Sequence, residues 1–70
     1  MKPTDGEMRV MRYIEWGLGV YHLAVTARER GTRGRIIRRL FVRGWLESTN
    51  PARLTDEGRA VFIRHGGTPG

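Results

Sequence analysis

The sequence predicts a mainly α-helical domain that carries one small β-hairpin. Three observations lead there. Threonines able to cap helices stand ahead of apolar residues at helical spacing, glycines close those stretches, and an Asn-Pro pair separates two short strand-like segments near residue 50. Seventy residues suffice for one domain with a thin core, since so short a chain buries only about 60% of the surface its unfolded form exposes. Residues 1–65 are read as that domain and Gly66-Gly67-Thr68-Pro69-Gly70 as a disordered tail.

Thr4-Asp5-Gly6-Glu7 fits a capping box, in which the Thr4 hydroxyl accepts from the Glu7 amide and the Glu7 carboxylate accepts from the Thr4 amide. Val10, Met11, Ile14 and Leu18 follow as one apolar stripe, and Gly17 and Gly19 stop the helix. A second helix is expected from about Val20 to Glu29, with Tyr21, Leu23, Ala24 and Ala27 turned inward. Gly31 is read as a tight turn between helices, Thr32 as the cap of a third helix, and Gly44 as the residue that ends it. On that third helix Ile36, Ile37, Leu40 and Phe41 share one side, while Arg35, Arg38 and Arg39 share the other.

Trp45-Leu46-Glu47-Ser48 reads as a strand, Asn50-Pro51 as the first two positions of a turn, and Arg53-Leu54-Thr55 as the returning strand. Thr55 then caps a last helix whose first turn holds Asp56 and Glu57, where the helix dipole favours acids, and whose apolar surface is Ala60, Val61 and Ile63. Trp45 and Trp16 are assigned to the core.

Charge narrows the function. The chain has thirteen Lys plus Arg against seven Asp plus Glu, a formal +6, and only Lys2 among the cations is lysine. The window 28–43 holds seven arginines and Glu29, a net +6, so the remaining residues, with six charges of each sign, are neutral. Concentration of one sign on sixteen consecutive residues points to a polyanionic partner rather than to a solubilising surface.

The absence of cysteine removes disulfides and thiolate metal sites. No run approaches the roughly 18 apolar residues of a membrane span, and the opening MKPTDGEM lacks an apolar signal segment, so a soluble, cytoplasmic protein is expected. His22 and His65 do not form a metal site of recognisable spacing, and no nucleophile, base and orienting group suggest themselves. The chain is therefore read as a non-enzyme without cofactor.

Ala27, Gly31, Ile37 and Leu40 match the small, glycine and aliphatic positions of the helix-turn-helix, although Arg30 and Thr32 stand where apolar residues are usual. Leu40, Arg43-Gly44-Trp45-Leu46-Glu47 and Leu54-Thr55-Asp56-Glu57-Gly58-Arg59-Ala60 look like the run through the wing of MarR-like and PadR-like proteins. Over about residues 8 to 64 the chain thus resembles the bacterial winged helix-turn-helix regulators, with a shorter wing than most.

The resemblance implies a three-helix core, a wing and a C-terminal helix. Helix 32–43 would lie in the major groove of duplex DNA and the 45–55 hairpin over the adjacent backbone. Arginine donates bidentately to guanine O6 and N7, so Arg35, Arg38 and Arg39 are the expected groove-facing residues. Thr32 and Arg33 are expected at phosphate or base edges near the helix start, Arg53 on the wing, and Arg28 and Arg43 on phosphate. A homodimer built through the first or last helix would ask for a palindromic site. An RNA- or ribosome-associated role and a protein-interaction adaptor are the competing classes.

Overall fold

A computed structural model describes residues 2–70, in which three helices enclose a two-stranded hairpin: α1 (Asp5–Glu15), α2 (Ala27–Val42), β1 (Leu46–Thr49), β2 (Ala52–Leu54) and α3 (Asp56–Arg64). Each helix starts on a threonine in extended conformation whose hydroxyl accepts an amide of the first turn: Thr4 from Glu7, Thr26 from Glu29 and Thr55 from Gly58. Each ends at a glycine with positive φ. At the end of α2, Gly44 (φ 77°) lets its own amide reach Phe41 O and the Trp45 amide reach Leu40 O, the paired bonds of a Schellman stop. Leu40 and Trp45 are both buried, which supplies the apolar contact that accompanies this motif.

The expected helix Val20–Glu29 is absent. Its residues form turns up to Thr26, after which a single sixteen-residue helix, α2, runs through both Gly31 and Thr32. The cause is local. Thr26-Ala27-Arg28-Glu29 is a second capping box, with the Glu29 amide 3.1 Å from Thr26 Oγ1 and the Thr26 amide 3.2 Å from Glu29 Oε1. That box starts the helix six residues ahead of Thr32, so Thr32 is not a cap and Gly31 not a turn. Gly31 costs α2 about 1 kcal/mol of propensity relative to alanine, a penalty that the packing of Ile36, Ile37 and Leu40 overrides. Without the extra helix, the helix-turn-helix junction that the resemblance implied is not formed; three helices and a hairpin remain, an order compatible with a winged-helix shape.

The core gathers Val10, Met11 and Ile14 of α1, Ile36, Ile37 and Leu40 of α2, Trp45, Leu46 and Leu54 around the hairpin, and Val61 and Phe62 of α3. Val20 is the contribution of the loop. Trp45 is buried as expected, but Trp16 is half exposed, because α1 ends before it and its indole N–H donates to Thr68 O at 2.8 Å. Leu18, Tyr21, Leu23, Phe41 and Ile63, all read as inward-facing, are exposed, and so is Ala27. Phe62, fully buried, fills the place expected of Ile63 on α3.

The strands pair antiparallel through Leu46↔Leu54, Ser48↔Arg53 and Thr49↔Ala52, with an irregularity at Glu47 between the first two pairs. Asn50 and Pro51, joined by a cis peptide, occupy the two central positions of the turn rather than its first two, because Thr49 and Ala52 close it as a strand pair. The last five residues return toward α1, where the Gly70 amide lies 3.2 Å from Glu15 Oε2. No helix of the described residues is long and apolar enough to cross a membrane.

Candidate nucleic-acid interface

Successive α2 residues are rotated by about 100°, so the face opposite Ile36, Ile37 and Leu40 is formed by Arg28, Gly31, Arg35, Arg38 and Val42, and all five are exposed. Arg28, Arg35 and Arg38 make no ion pair or side-chain hydrogen bond among the described residues. At a rise of about 1.5 Å per residue they span roughly 15 Å along the axis. Thr32 lies on the exposed flank of the same face.

Of the other arginines of the window, Arg30, Arg33 and Arg43 are held by the fold. Arg33 was expected at the helix start; it stands in the helix interior and turns inward, its Nη1 donating to Val20 O and His22 O at 2.8 Å each. Its guanidinium carbon lies 5.2 Å from the centre of the Tyr13 ring, against which the His22 ring packs edge-on at 4.9 Å. Arg30 Nε donates to Ala24 O at 3.2 Å. Two arginines one turn apart thus brace three carbonyls of the Gly17–Val25 loop, a segment too irregular to satisfy them itself. Leu23, at φ 64°, stands in this braced loop with its side chain exposed.

Arg43 points back into the domain. Its Nε lies 3.1 Å from Glu7 Oε2 and its guanidinium carbon 5.1 Å from the centre of the Trp45 ring. Arg39 is intermediate, with its side chain 52% exposed and its Nε 3.9 Å from the same carboxylate oxygen. Glu7 is fully buried. Its Oε1 accepts the Thr4 amide at 2.8 Å, while Oε2 stands in ion-pair contact without the alignment of a hydrogen bond.

Arg53 lies on β2 beside Glu47 at 3.8 Å, both side chains largely exposed. Such a surface pair holds neither partner firmly. The structure therefore brings together Arg28, Arg35 and Arg38 with Thr32 on one flank, keeps Arg53 apart on the hairpin, and turns Arg33 and Arg43 inward.

No protein-family model, curated protein or solved structure matches the chain.

What sequence reasoning missed is the division of labour among the arginines. One part had a visible signal: Thr26-x-x-Glu29 repeats Thr4-x-x-Glu7, and starting α2 there moves Arg33 from a helix end to its middle. The burial of Glu7 had none, because an acid at the third position of a helix is ordinarily solvated. Beyond the arginine face, an open groove of about 400 Å³ is lined by Tyr21, Ala24 and Arg30.

Proposed function

We propose that this protein binds duplex DNA through the outward face of α2, as a binding module rather than an enzyme. The observation that carries the reading is the row Arg28, Arg35 and Arg38: three exposed guanidinium groups on one side of one helix, without an ion pair or side-chain hydrogen bond among the described residues. A major groove about 12 Å wide admits a single helix, and arginine is the side chain best matched to both phosphate and the guanine edge. The β1–β2 hairpin carries Arg53 and would act as a wing over the neighbouring backbone, in the manner of the winged-helix regulators that the sequence resembles. A role in transcription regulation and residence on the nucleoid follow from that resemblance.

The test is titration of labelled duplex DNA at several salt concentrations, with duplex RNA and single strands as competitors. Preference for duplex DNA together with a steep loss of affinity in salt supports the reading. Preference for RNA transfers the same face to an RNA-associated role. Absence of any nucleic-acid binding leaves the adaptor reading, which the exposed Leu18, Tyr21, Leu23 and Val25 of the braced loop favour.

A further inference from the structure

Glu7 faces two guanidinium groups with one carboxylate. Arg43 is the close partner at 3.1 Å, its side chain only 23% exposed and its guanidinium over the Trp45 ring. Arg39 is the distant partner at 3.9 Å, half exposed, one helical turn before Arg43 and on the flank of the Arg28–Arg35 face. Both guanidinium groups face the same carboxylate oxygen, and the farther one is the more exposed.

We propose that Glu7 is a positioning residue for the nucleic-acid interface: it draws Arg39 toward the domain and so limits the number of α2 arginines that engage phosphate. The inference rests on the nucleic-acid reading and adds to it a residue that touches no nucleic acid. Arg43 is fixed structure, whereas Arg39 is divided between Glu7 and the bound polyanion. The device keeps non-specific affinity down. Each extra phosphate neutralised strengthens binding to every sequence alike, while base-edge contacts alone discriminate.

Glu7→Gln tests this with little disturbance to α1, because glutamine at the third helical position also completes a capping box. Circular dichroism and a thermal melt verify the fold. Duplex binding is then measured against salt for wild type, Glu7→Gln, Arg39→Gln, the double variant, and Asp5→Asn as a control that removes one exposed acid from the same helix.

Release of Arg39 is expected to steepen the slope of log affinity against log salt by up to about 0.9 in Glu7→Gln, the value of one phosphate on B-DNA. Arg39→Gln alone should change the slope by less than half that, and in the double variant it should cancel the gain. Four results overturn the proposal: a Glu7→Gln slope equal to wild type, a slope equal to that of Asp5→Asn, loss of a full phosphate contact in Arg39→Gln alone, or a gain that survives in the double variant, which would come from Arg43 once its carboxylate partner is removed. If Glu7→Gln does not fold, Arg39→Gln in the wild-type background decides by the same criterion. A wild type that binds no duplex removes the nucleic-acid reading and this inference together; a wild type that binds while Glu7→Gln leaves the slope unchanged removes the inference alone.

Discussion

The backbone of Gly58 lies directly on Trp45: a Cβ added at Gly58 would run into the Trp45 carbonyl carbon and oxygen. The contact joins the start of α3 to the residue that closes α2, and two hydrogen bonds bracket it. The Thr55 amide donates to Trp45 O at 3.0 Å, and the Thr55 hydroxyl to Gly44 O at 2.6 Å. The obstacle is backbone rather than a movable side chain, so Gly58→Ala must displace α3. We expect it to destabilise the domain by about 1–3 kcal/mol, as forced overpacking does, measured by thermal or urea unfolding. Gly31 is the contrast. A Cβ there meets nothing within 4 Å, so Gly31→Ala is expected to stabilise by up to about 1 kcal/mol through helix propensity.

The inward face of α2 is tested by Leu40, which is fully buried. Leu40→Ala should cost roughly 2–5 kcal/mol, which in so small a domain can abolish folding. Val42, two residues on and 82% exposed, should tolerate alanine within about 0.5 kcal/mol. Equal melts for the two variants would mean that the face has been assigned wrongly.

The same helix shows what a sequence can and cannot convey. Thr4, Thr55 and Gly44 were legible because caps and stops are local: a threonine hydroxyl finds an amide three residues away, and a glycine accepts positive φ, whatever the rest of the chain does. The hairpin was legible for the same reason, through Asn50-Pro51. The second helix departs from expectation because Thr26 and Glu29 form a capping box ahead of Gly31, and the helix they start runs through that glycine. Arg33 and Arg43 were misjudged for a different reason. Whether an arginine points to solvent or to a carbonyl depends on which loop folds across it, and neither the Val20–His22 turn nor Glu7 is near these arginines in sequence.

Arg33 and Arg28 have the same side chain but different expected behaviour. Arg33→Ala leaves the carbonyls of Val20 and His22 without their donor, and unpaired groups of this kind cost about 1–3 kcal/mol where they are buried. The melt should fall while the salt slope of duplex binding stays as in wild type. Arg28→Ala removes an exposed cation that has no ion pair among the described residues. Its melt should be unchanged and its slope shallower by about 0.9. A shallower slope in both variants would mean that Arg33 leaves its carbonyls to meet phosphate.

The prediction that most directly tests the mechanism separates reading from anchoring. Arg35 and Arg38 lie at the centre of the outward face of α2, where a helix seated in the major groove presents its side chains to base edges. Replacement of either by alanine should cost about 1–3 kcal/mol on a selected site and relax preference at one base position. Arg53, on the hairpin and only loosely paired with Glu47, should behave as a phosphate contact: Arg53→Ala should weaken all sequences alike and make the salt slope shallower by about one unit. With Arg33 and Arg43 turned inward, the wild-type slope itself should be roughly −3 to −4.5, corresponding to three to five neutralised phosphates. Site selection from a random duplex library, followed by titration of each variant on selected and scrambled duplexes, measures all of these quantities. If Arg35→Ala and Arg38→Ala lose affinity equally on both duplexes, α2 is a phosphate anchor, and sequence-specific regulation gives way to an architectural or RNA-binding role.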